Sequence, residues 1–112
     1  MRIISNKTLK NFYELNSEYK DSKVPLEVWY LETLKANWKK PQEIKAKFRS
    51  ASILKNSRVV FNIAGNKYRL IVAIDYNRQV CFIKFVGTHK QYDLIDAEIY
   101  NGYSTNKNRT GL

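Results

Sequence analysis

Apolar side chains recur three and four places apart through roughly the first fifty residues, and from Arg58 onward they alternate with a period of two. The first pattern predicts helices and the second strands. Residues 2–4, Arg-Ile-Ile, form a short β-branched run ended by Ser5, a residue suited to cap a helix. A first helix is expected to about Tyr19, with Leu9, Phe12, Tyr13 and Asn16 on one face, and Asp21-Ser22-Lys23 breaks it. Pro25 fits the first turn of a second helix, in which Leu26, Tyr30, Leu34 and Trp38 make an i, i+4 row toward the core. Pro41 opens a short third helix carrying Ile44 and Phe48, and residues 50–57 read as a loop.

Residues 58–63 and 67–74 predict two antiparallel strands joined by a tight turn at Gly65-Asn66. A second turn, Tyr76-Asn77-Arg78, leads into a third strand over 79–86 that stops at Gly87. A last helix is expected over 92–99, with Tyr92, Ile95 and Ile99 on one face. The whole is an α+β domain over residues 1–100: a small antiparallel sheet, N-terminal helices packed on one face, and a short C-terminal helix. Residues 101–112 are polar and predict a mobile tail.

Alternation along the second strand makes Tyr68, Leu70, Val72 and Ile74 the better core face; if the early helices cover it, the opposite face, with Lys67, Arg69, Ile71 and Ala73, is open. Lys84 shares parity with Val80, Phe82 and Val86 and is expected to join that open face.

Composition adds two things. With 112 residues, 44% hydrophobic and 13% aromatic, the chain can bury the core of one domain. Its 20 Lys and Arg outnumber 10 Asp and Glu, a net charge of +10 that points to a polyanionic partner. The surplus is concentrated where the strands are: Lys55, Arg58, Lys67, Arg69, Arg78, Lys84 and Lys90 stand against Asp75 alone. Arg58, Lys67, Arg78 and Lys90 are the candidate contacts to such a polyanion, a nucleic acid among them. A single cysteine, Cys81, in an apolar run argues against a disulfide framework and fits a reducing cytoplasm. The N-terminus turns polar too early for a signal peptide, and no apolar stretch reaches the ~18 residues that span a bilayer.

Several chemistries are excluded. The chain has no glycine-rich phosphate loop, no cluster of metal-binding residue types and no carboxylate pair in its basic half, so neither a metal nor any other cofactor is expected. His89, the only histidine, follows the last strand in Gly87-Thr88-His89-Lys90-Gln91-Tyr92. Imidazole exchanges protons near neutral pH. RNA is cleaved without a metal when its own 2′-OH attacks the adjacent phosphate, which needs proton transfer and cations around the phosphate. Arg69, Lys84, His89 and Tyr92 can supply those roles, and the same residues can equally form a charged, noncatalytic surface.

The run Arg58-Val59-Val60-Phe61-Asn62-Ile63, then Asn66-Lys67-Tyr68-Arg69-Leu70, then Phe85-Val86-Gly87-Thr88-His89 followed by Tyr92-Asp93, resembles the HigB toxin family. Met1-Arg2-Ile3-Ile4-Ser5, Trp38-Lys39-Lys40-Pro41 and Ser50-Ala51-Ser52-Ile53-Leu54 extend the resemblance over about residues 1–99. It implies a RelE-like fold, ribosome-dependent cleavage of messenger RNA, and a cognate HigA-like antitoxin with a helix-turn-helix, through which the pair would bind its operator DNA. It also implies roles. Arg69 matches the central-strand arginine that contacts the scissile phosphate, His89 stands where relatives carry a basic catalytic residue, and Tyr92 lies near their C-terminal tyrosine. The family's strand lysines have no counterpart at Val60 and Asn62, so the general base is unassigned, with Lys67 and Lys84 as substitutes. Two other readings stay open: a ParE-like toxin that binds gyrase and cleaves nothing, and a noncatalytic RNA-binding or ribosome-binding module.

Overall fold

The alternation that begins at Arg58 becomes three antiparallel strands, and two short segments extend them into a sheet of five. The structure, a computed structural model, describes residues 1–102. The strands are β1 (Arg2–Ile4), β2 (Ser52–Ile53), β3 (Arg58–Ile63), β4 (Tyr68–Asp75) and β5 (Val80–Thr88), in the order β1-β5-β4-β3-β2. β1 pairs parallel with β5 and every other neighbouring pair is antiparallel. Ser52 and Ile53 thus belong to an edge strand rather than to a loop.

Among the described residues there are four helices, α1 (Asn6–Glu14), α2 (Lys23–Lys35), α3 (Pro41–Lys47) and α4 (His89–Tyr92), with a 3-10 segment at Ser17–Ser22 between the first two. α1 is shorter than expected because Asn16 donates its side-chain amide to the carbonyl of Phe12, and the chain then tightens into the 3-10 segment. Leu9, Phe12 and Tyr13 are buried as the spacing predicts. α2 is turned differently. Leu26, Trp29 and Thr33 face inward, Tyr30 is half-buried and Leu34 exposed, while Trp38 is buried beyond the end of the helix. Val24, Leu26, Val28, Trp29, Tyr30, Leu31 and Leu34 leave α2 apolar all round, so spacing alone could not select its inner face. The bulkiest side chain takes the core: Trp29 meets Phe61 edge-on at 5.4 Å, and Phe48 packs on the same ring at 5.1 Å. The Met1 amino group donates to the carbonyls of Thr33, Leu34 and Ala36, placing a cation at the C-terminal end of α2.

The core lies between these helices and one sheet face, made by Val59, Phe61, Ile63, Leu70, Val72, Ile74, Cys81 and Ile83. The opposite face was expected to be open, and half of it is not. A single helical turn, α4, replaces the helix expected over 92–99. Residues 93–101 follow as a strap across the sheet, where Ala97 packs on Val60 and Ile71 together with the half-buried Tyr92, Ile95, Leu54 and Phe85. Ile99 is exposed and makes no part of that contact. Asn101, assigned by composition to the tail, is hydrogen bonded to Arg58; of the expected tail, residues 103–112 lie outside the described residues.

Candidate RNA-cleavage site

The second sheet face is organised by the register of its three long strands. Asn62 on β3, Arg69 on β4 and Gly87 on β5 form one cross-strand row, and Val60, Ile71 and Phe85 form the next. Between Ile71 and Val72 the β4–β5 ladder slips: Ile71 pairs with Phe85, Val72 with Ile83, and Lys84 is the extra residue. The bulge overturns part of the expected parity. Phe85 joins the second face and Val86 packs against the helix-covered core, the reverse of a regular strand. Lys84 still reaches the second face, its ammonium 5.6 Å from the centre of the Phe82 ring. Burial, and then the charge of Arg58, hold its pKa below that of an ordinary lysine.

Arg69 is buried to 9% exposure in the middle of this face. Its Nη1 donates to the carbonyls of Asn66 at 3.1 Å and Tyr68 at 3.4 Å, and its guanidinium carbon lies 5.9 Å from the centre of the Tyr92 ring. Two carbonyls and a ring hold the group in place, and among the described residues no carboxylate neutralises it. Charge so placed is available to an anion.

The end of β5 brings the histidine to this place. Gly87 is the register partner of Arg69 and His89 follows two residues later as the first residue of α4. Thr88 caps that turn by a reciprocal pair: its hydroxyl accepts from the Gln91 backbone at 3.2 Å, and its own backbone donates to the Gln91 side chain at 2.9 Å. The His89 ring is exposed, with Nδ1 3.3 Å from an Asp93 carboxylate oxygen one turn on. Lys90 is exposed on the same turn.

The remaining sequence candidates are dispersed. Lys67 is not on the open face: β4 starts at Tyr68, and Lys67 in the preceding turn pairs with Asp21 of the 3-10 segment on the helical side. The same carboxylate accepts from the Tyr68 hydroxyl, and these two hydrogen bonds hold Asp21 below the usual carboxylate range. Arg78 sits in the β4–β5 turn, at the far end of β4 from Arg69, with Asp75 as its neighbour. Arg58 is buried beneath the strap, its guanidinium turned to backbone carbonyls rather than outward. Asn62, Gln91 and Asp93 did not stand out in the sequence, because only the register and the cap place them beside Arg69 and His89.

Arg69 and Tyr92 are thus in contact, His89 stands on the same turn as Tyr92, and Lys84 lies one strand over from Arg69. Among the described residues no three His, Cys, Asp or Glu side chains are grouped as metal ligands, and no helix is long and apolar enough to cross a membrane. This part of the face brings a held guanidinium, an aromatic ring and an exposed imidazole to neighbouring positions of β4 and α4.

Comparison with known proteins gives a consistent result. Residues 22–95 match the family model of the HigB toxin, described as the RelE-like toxic component of a toxin-antitoxin system. Over 99 residues the chain is 34% identical to the mRNA interferase toxin HigB of Escherichia coli strain K12, covering 87% of this chain and 92% of that protein. The same identity and coverage hold for the proteins called mRNA interferase HigB in Escherichia coli O157:H7 and in Shigella flexneri.

Proposed function

We propose, from the premise that this chain belongs to the HigB family of RelE-like toxins, that it is an mRNA interferase that cleaves messenger RNA on the ribosome without a metal ion. The reaction is transfer of the phosphodiester to the ribose 2′-oxygen: the 2′-OH loses its proton and attacks phosphorus, and the 5′-oxygen leaves with a proton. The products are a 2′,3′-cyclic phosphate and a 5′-hydroxyl. Arg69 stabilises the charge that builds on the phosphate oxygens. His89 transfers a proton through Nε2, with Nδ1 directed to Asp93. Tyr92, resting on Arg69, orients the phosphate group or stacks on a base, and Lys84 adds positive charge along the RNA path.

The observation that carries this reading is the register of Arg69 with Gly87, by which a guanidinium with no carboxylate partner among the described residues stands next to the strand end that leads into His89 and Tyr92. The partners that follow are ribosome-bound mRNA in the cytoplasm and a HigA-like helix-turn-helix antitoxin, with operator DNA reached only through the complex of the two.

The test compares wild type, Arg69→Ala and His89→Ala on programmed ribosomes. Each substitution is expected to lower the cleavage rate by ~10²- to 10⁴-fold while cofractionation with ribosomes changes little, because one charge among many is lost from binding. A wild-type rate for His89→Ala would remove the histidine from the chemistry. Toxic variants that cleave nothing would favour the gyrase-binding alternative.

A further inference from the structure

We propose that Arg58 is a positioning residue for the cleavage reaction, resting on the endonuclease reading above: it clamps the strap by its backbone carbonyls and thereby seats Tyr92 beside Arg69. Its guanidinium donates to the carbonyls of Ala97 at 3.4 Å and Tyr100, and at 2.9 Å to the side-chain oxygen of Asn101. At 6% exposure it has no surface to offer an RNA.

Burying a cation is costly, and burial lowers the pKa of Arg58 below that of an ordinary arginine. No carboxylate among the described residues offsets that cost. An apolar side chain would seal the same place more cheaply, so the group is explained by what it holds. The strap needs holding. It has no sheet ladder, and α4 is a single turn that cannot persist by itself. Among the described residues, Arg58 is joined in this by Ala97 and Ile95 in the cluster with Val60 and Ile71, the Tyr100 ring edge-on to Phe85 at 5.5 Å, and a bond from the Asn56 side chain to the Glu98 carbonyl. Arg58 binds both ends of residues 97–101. Tyr92 and Ile95 share the apolar cluster beneath the strap, so a loosened strap frees the ring that rests on Arg69 and the turn that carries His89.

The experiment uses Arg58→Met, Arg58→Lys and Asn101→Ala in the full chain, with kcat and KM on programmed ribosomes and amide hydrogen exchange of residues 93–101. Both Arg58 variants should lose about tenfold or more in kcat while KM stays within about threefold of wild type, since a positioning defect acts on the transition state. Exchange in the strap should quicken by about tenfold while β4 stays protected, because the opening is local. Lysine keeps the charge but not the planar fork, so it should fail to restore kcat. Asn101→Ala should move both readouts in the same direction by less. Wild-type kcat in Arg58→Lys, unchanged exchange in the strap, or a raised KM with kcat intact would each overturn the clamp. If Arg58→Met does not fold, Arg58→Lys and Asn101→Ala decide. A wild-type protein that cuts nothing defeats the endonuclease reading, whereas exchange still judges the clamp.

Discussion

Gly87 has no side chain, and the site depends on that. A Cβ at this position would stand 2.5 Å from the tip of the Phe85 ring and 2.7 Å from the Gln91 side-chain oxygen. Phe85 packs the second face and Gln91 closes the cap that starts α4, so an added methyl group displaces either the ring or the cap. Gly87→Ala is expected to cost about 1–3 kcal/mol in denaturant unfolding, as overpacked positions do, and to lower cleavage by disturbing the turn that carries His89. Unchanged stability and activity would show that the crowding is relieved without consequence. At this scale the sequence was uneven. Arg69 stood out by its place on the strand and by the resemblance, and His89 as the only histidine, whereas the structure takes Lys67 off the open face and buries Arg58. Both carry a charge that looks free in a sequence, and the groups that engage them, Asp21 and the carbonyls of residues 97 and 100, are 39 or more positions away.

Period-two alternation made β3, β4 and β5 legible as elements, and the turns between them followed from Gly65 and from Asn77-Arg78. The bulge at Lys84 was not legible, because one inserted residue leaves no mark on composition and only changes which residues share a face afterwards. α2 failed for a related reason: a helix apolar on all sides has no preferred direction until the sheet supplies one. The contact of Trp29 with Phe61 supplies it here. Trp29→Ala should therefore destabilise the domain by about 3–5 kcal/mol, and Leu34→Ala, on the exposed side, by less than about 0.5 kcal/mol. Thermal and denaturant unfolding of the two variants would distinguish the orientations, and a larger cost at Leu34 would reverse the assignment.

Over the whole molecule, charge is spread unevenly along the chain. Between Ser5 and Lys35 five lysines are balanced by five acidic residues, so the entire surplus of +10 comes from the rest of the chain. Val24, Val28, Leu31 and Leu34, all exposed, lie on that balanced helical layer. Arg69, buried and without a carboxylate partner among the described residues, lies on the opposite side of the sheet, as does Lys84, and the turn after β5 carries His89 and Lys90. In the proposed reading the RNA meets that second side. The overall fold class followed from this sequence because period, turns and helix starts agreed with one another. The strap did not, since it is held by tertiary contacts and by no periodicity of its own.

The chemistry of the cut ends tests the central claim most directly. Wild-type protein would be added to ribosomes programmed with a defined message, divalent ions would be chelated once the complexes are assembled with polyamines keeping them intact, and the new RNA termini would be mapped. The expected ends are a 2′,3′-cyclic phosphate or 3′-phosphate on one fragment and a 5′-hydroxyl on the other, formed despite chelation and lost with Arg69→Ala. A 3′-hydroxyl with a 5′-phosphate, or cleavage abolished by chelation on intact ribosomes, would contradict it.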